Sequence, residues 1–72
     1  MKTVTVKIGG MSCQHCVKAV SQAVGQVEGV DSVQVDLAGE TAVINYDETV
    51  FDLLKVREAV VEEGYDYQGV VE

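Results

Sequence analysis

The sequence predicts an α+β open-faced sandwich, with two helices on one face of a four-stranded antiparallel sheet. Three observations predict it. Runs with period-two alternation and runs with helical spacing follow one another as strand, helix, strand, strand, helix, strand. The two middle strands are joined by a turn of three residues, Ala38-Gly39-Glu40, which marks a hairpin. A chain of 72 residues can build one two-layer core and little more, so residues 1–72 are read as a single domain.

The first strand covers residues 3–8. Val4, Val6 and Ile8 face one side, and Thr3, Thr5 and Lys7 the other. Gly9-Gly10 stops it. A helix is expected over residues 14–27, with Val20, Val24 and Val27 on one face and Lys18, Ser21, Gln22 and Gln26 on the other. Ser12 is the expected N-cap and Gly29 the expected stop. Valine is only a fair helix former, so this helix depends on packing.

Val33, Val35 and Leu37 form the second strand and Ala42, Ile44 and Tyr46 the third. A second helix is expected over residues 53–63, on the spacing of Leu53, Val56 and Val60. Asp52 caps it, Phe51 staples onto Val56, and Gly64 ends it. Residues 65–71 make a less regular last strand. Two right-handed crossovers then put both helices on one face, the ferredoxin-like βαββαβ arrangement. Its two halves are a weak internal repeat of one β-α-β unit.

Composition narrows function. The net charge is −7, from 12 acidic and 5 basic residues, which argues against nucleic acid and anionic membrane surfaces and suits a partner with a basic docking face. The acidic run Glu58, Glu62 and Glu63 fits that face, although such a run is most often a solvated helix side. No stretch has the length of a membrane span or a signal peptide. Two cysteines make no disulfide framework, and the expected location is cytoplasmic, where nearby thiols stay reduced.

Both cysteines and the only histidine fall in one stretch, Gly10-Met11-Ser12-Cys13-Gln14-His15-Cys16, between the first strand and the first helix. Cysteines three apart at a helix start can bring their sulfurs to one point. The free N–H groups and partial positive charge of the helix end favour thiolate, so the Cys16 pKa should fall. Two soft thiolates suit an ion content with two ligands, which is Cu(I). Zn²⁺ prefers four, and the chain offers no second Cys pair. A thioredoxin-like redox motif is the main rival. The short chain, the single preceding strand and the absence of any proline count against it. Two buried apolar cysteines are the bland alternative.

The stretch resembles the GMxCxxC signature of heavy-metal-associated domains. Gly29-Val30, the alternation of Ala42, Ile44 and Tyr46, and Gly64-Tyr65 also match that family's pattern. Residues 10–20 read like the small bacterial copper chaperones. The resemblance implies a βαββαβ fold, Cu(I) bound by Cys13 and Cys16, and delivery to a copper-transporting P-type ATPase. It also implies that Met11 points into the core to anchor the loop rather than ligating. Relatives that carry zinc or cadmium often have a carboxylate where this chain has Ser12, and serine keeps the site at two sulfurs.

His15 is read as a solvated spacer, with a third ligand in a copper-bridged homodimer as the alternative. Tyr65 is either a packed aromatic at the helix exit or, as in the bacterial chaperones, a support for the metal loop. Lys18 is read as keeping its helix face soluble. The whole reads as a binding and transfer protein, not an enzyme. Alternatives are the excised N-terminal metal-binding domain of a copper ATPase, a mercury-binding relative and a thiol oxidoreductase. Beginning at a methionine and ending close to the last strand favours the free-standing form.

Overall fold

The computed structural model describes residues 2–71. Strand β1 (Lys2–Gly9) leads into helix α1 (Gln14–Gly25). Strands β2 (Val30–Asp36) and β3 (Thr41–Tyr46) follow, then helix α2 (Leu53–Glu62) and strand β4 (Asp66–Val71). The strands form one antiparallel sheet in the order β2-β3-β1-β4. This is the element order and sheet that the alternation patterns predict.

β1 lies between β3 and β4, and its alternation gives it one buried face. Val6 and Ile8 are fully buried, as are Ala42 and Ile44 of the neighbouring β3. Val20 and Val24 of α1 and Val56 and Val60 of α2 close the core from the other layer. Each fully buried valine contributes on the order of 1.5–3 kcal/mol relative to exposure. That burial holds α1 helical despite its valine content. On the open face the strands are tied by side chains: Thr3 Oγ1 donates to Asn45 Oδ1 (2.7 Å), and Asn45 Nδ2 donates to Ser32 Oγ (2.8 Å).

Several boundaries differ from the sequence reading. α1 ends at Gly25, with Gln26 as its C-cap, so neither Val27 nor Gly29 closes it. The Val27 N–H instead bonds the Val24 carbonyl (3.0 Å), a tight final turn that drops Val27 out of the helix while it still packs on the core. Gly29 sits in the following turn, where its carbonyl accepts from the Asp47 N–H (2.8 Å). β2 begins earlier, at Val30, and Leu37 belongs to the hairpin turn.

At α2 the expected cap holds: Asp52 Oδ1 accepts from the Leu54 N–H at 3.0 Å. Phe51 lies beside the core but stacks on Tyr46, with ring centroids 4.2 Å apart. α2 ends one residue early, at Glu62, and Gly64 follows in the left-handed region with φ +88°. The Tyr65 N–H reaches the Val60 carbonyl (3.2 Å) and the Gly64 N–H the Val61 carbonyl (3.0 Å), a Schellman closure. This closure fixes where Tyr65 leaves the helix.

Candidate metal centre

Three chain segments meet at one end of the sheet. β1 runs out there into Gly10, the β2–β3 hairpin turn returns there, and α2 delivers Gly64 and Tyr65 there. The Ile8 N–H bonds the Glu40 carbonyl (2.8 Å), which ties the hairpin turn to the end of β1. Gly10 adopts φ +90°, and a Cβ built on it would stand 3.8 Å from the Tyr65 ring. The chain therefore turns sharply toward α1 directly beside the tyrosine.

Met11 is the anchor of that turn. Its side chain is only 7% exposed and belongs to the core. A buried Met11 next to exposed Ser12 and Cys13 presents the thiol loop outward from a fixed point.

Cys13, not Ser12, is the N-cap of α1. Its backbone is extended, and its carbonyl accepts from the Cys16 N–H (3.1 Å) and the Val17 N–H (3.3 Å). No side chain caps the helix, so Ser12 does not serve the role expected of it. Its Oγ instead lies 3.9 Å from Cys16 Sγ. An uncapped first turn leaves N–H groups and the positive helix end facing the sulfurs.

The two sulfurs stand 3.7 Å apart as free thiols, Cys13 exposed and Cys16 half-buried. The Cys16 pKa is lowered from 9.0 to about 6. Its largest cause is the Tyr65 hydroxyl as donor, followed by the backbone of Ser12, with the Cys13 thiol adding less and burial opposing. The same hydrogen bond raises Tyr65 to about 12, because ionising the phenol would remove the proton it shares with Cys16; burial and the negative charge of the thiolate add to the shift. The direction for Cys16 is the one the helix start predicts, but the main agent is a tyrosine from the far end of the sequence. The Gly64-Tyr65 step was the signal, since a left-handed helix exit puts the next residue at the end where the loop lies.

His15 and Lys18 are exposed on α1. Among the described residues, no group of three or more His, Cys, Asp or Glu side chains is placed to hold a metal. The site is thus a dithiol on a fixed loop, open to an approaching ligand, with one acidified sulfur. That chemistry suits a soft ion held by two thiolates.

A βαββαβ sandwich presenting such a dithiol at the first strand-to-helix turn is a metal-binding module. The chain belongs to the heavy-metal-associated domain family, whose match covers residues 5–66. It is 38% identical to the copper chaperone CopZ of Bacillus subtilis over 66 residues, which is 92% of this chain and 96% of that one. It is 44% identical over 68 residues to a probable copper-exporting P-type ATPase of Archaeoglobus fulgidus, spanning 94% of this chain but 8% of the ATPase. A solved CopZ metallochaperone superposes with a TM-score of 0.88 at 30% identity, covering 92% of this chain and 98% of that one.

Proposed function

We propose that the protein is a copper chaperone: Cys13 and Cys16 hold Cu(I) as a bis-thiolate and pass it by ligand exchange to the metal-binding domain of a copper-transporting P-type ATPase. The observation that carries this reading is the pair of free sulfurs 3.7 Å apart on an exposed loop. Relatives named copper chaperones, of nearly the same length, support the cargo. The copper-exporting ATPase, which holds a similar segment within a much longer chain, supports the recipient.

Exchange follows from coordination number. Cu(I) on two sulfurs accepts a third thiolate without first losing a ligand. The incoming thiol gives up its proton, binds the ion, and one of the original sulfurs leaves and takes a proton. Copper stays monovalent throughout. The exposed Cys13 side of the loop offers the route of approach, while half-buried Cys16 is held by Tyr65 and the Ser12 backbone.

A copper-bridged homodimer through the same loop is the self-directed form of this exchange. No helix among the described residues is long and apolar enough to cross a membrane, which is compatible with work in the cytoplasm. The second reading, a metal-binding domain of a copper ATPase, draws on the 44% identity to such a segment, and genome context separates the two.

Anaerobic Cu(I) titration with native mass spectrometry tests the site. Wild type is expected to hold one ion per chain, or one per pair of chains, against a strong Cu(I) chelator. Cys13→Ser and Cys16→Ser are each expected to lose it. Retention of a full equivalent by Cys13→Ser would falsify the ligand assignment.

A further inference from the structure

α2 buries Val56 and Val60, so its opposite side should be polar. It is only partly so: Leu54 and Val61 are 61% and 55% exposed, the highest values among the large apolar residues described. They stand two turns apart on one face, about 10 Å along the axis. Arg57 and Glu58, both exposed, lie between them, and these four together with exposed Glu62 line one surface depression.

We propose that this stripe docks on the same stripe of a second copy of the chain, α2 against α2, antiparallel about a two-fold axis. A two-fold contact needs a patch that is its own complement. Leu54 and Val61 lie equally far from the midpoint between Arg57 and Glu58. With the axis through that midpoint, Leu54 meets Val61 of the second copy and Arg57 meets Glu58, each pair occurring twice.

The parallel alternative sets Arg57 against Arg57 and repels. Arg57 is the only arginine in a chain with 12 acidic residues, so most like-on-like contacts of this surface would also repel. The stripe instead places opposite charges at its centre with one apolar residue on either side, and leaves Glu62 beyond Val61 at the outer edge of the contact. The exposed ion pairs set orientation more than affinity. Two helices this short give a contact below the lower end of the standard interface range, about 1,200 Å², so the association is weak and transient.

The antiparallel arrangement has a consequence for the thiols. The C-terminal end of α2 leads through Gly64 to Tyr65 at the metal loop, so the two loops of such a pair point to opposite ends. A metal-bridged pair would bring its loops face to face. The α2 pair thus leaves both dithiols open to other partners. It stands independently of the copper reading.

Metal-free protein with Cys13 and Cys16 alkylated removes any bridging, and is studied by sedimentation equilibrium and by NMR dilution from about 1 mM, a range suited to weak association. Concentration-dependent pairing is expected, with shifts confined to the α2 stripe. Arg57→Glu is expected to weaken pairing roughly tenfold or more, because it sets like charges opposite one another. The double variant Arg57→Glu/Glu58→Arg is expected to restore it. A chain that stays monomeric at about 1 mM overturns the proposal. So does pairing that Arg57→Glu leaves unchanged, or that the double variant fails to restore. None of these results bears on metal binding by the free dithiol.

Discussion

The Tyr65 hydroxyl is the principal group that acidifies the Cys16 thiol, and the thiol in turn holds the Tyr65 phenol at about 12. The relationship joins the start of α1 to the exit of α2. It depends on the Gly64 turn, which directs Tyr65 to the loop end, and on the bend at Gly10, which brings the loop beneath the ring. Fold and site chemistry are coupled at this contact: two helix ends, one from each half of the weak repeat, are needed to set one pKa.

Replacing Tyr65 with Phe keeps the packed ring and removes the donor. The Cys16 thiol should then titrate above its wild-type value of about 6, because the largest lowering influence is gone while burial still opposes ionisation. Thiolate absorbance against pH, recorded on metal-free protein under anaerobic conditions for Cys13→Ser and for Cys13→Ser/Tyr65→Phe, reads the shift as the difference between the two midpoints. An unchanged midpoint would show that the backbone at the helix start suffices alone.

The same contact makes metal-free stability depend on pH, with a definite sign. Cys16 has a folded pKa of about 6, below its ordinary value of 9.0, so folding favours the thiolate. The contribution is fully present above about 9 and is lost as pH falls through about 6. Urea unfolding of reduced, metal-free protein should therefore show stability rising between those values. The comparison is with Cys16→Ser, in which this part of the rise should vanish. Asp47 acts in a lower window: Thr49 donates to it from both N–H and hydroxyl, its pKa is lowered, and its contribution disappears as pH falls below the ordinary value of 3.8.

How far the sequence carries depends on whether the cause is local. The strands of β1 and β3 and the core residues Val6, Ile8, Ala42 and Ile44 are legible because alternation acts over neighbouring residues. Asp52 is legible as a cap for the same reason. The end of α1 is less so, because Val27 keeps a helical spacing and packs on the core after the helix has closed. Ser12 looks like a cap by residue type, yet the extended backbone at Cys13 moves the cap by one position. The stack of Phe51 on Tyr46 and the reach of Tyr65 to Cys16 depend on how separate elements meet, which spacing alone does not encode.

Met11 separates anchoring from ligation. Its side chain is 7% exposed and sits in the core, so Met11→Ala should cost about 2–5 kcal/mol in denaturant unfolding. Met11→Leu, of similar volume, should cost less than about 1.5 kcal/mol. If the thioether does not ligate, Met11→Leu should also hold Cu(I) as wild type does in chelator competition. A Met11→Leu protein that folds normally but loses copper would move Met11 into the ligand set.

Glu40 is the described non-glycine residue with positive φ, at 54°. A side chain in the left-handed region crowds its own backbone, a cost of roughly 1–2 kcal/mol. The hairpin keeps it there because the Glu40 carbonyl must accept from the Ile8 N–H, and the Glu40 N–H bonds the Leu37 carbonyl (3.3 Å). Both bonds use backbone atoms, so Glu40→Gly preserves them and removes the crowding. The gain is offset in part by the greater freedom of glycine in the unfolded chain. Thermal unfolding of Glu40→Gly should therefore show a net stabilisation of up to about 1 kcal/mol, with copper binding unchanged. A loss of stability instead would mean that the glutamate side chain makes a compensating contact in the turn.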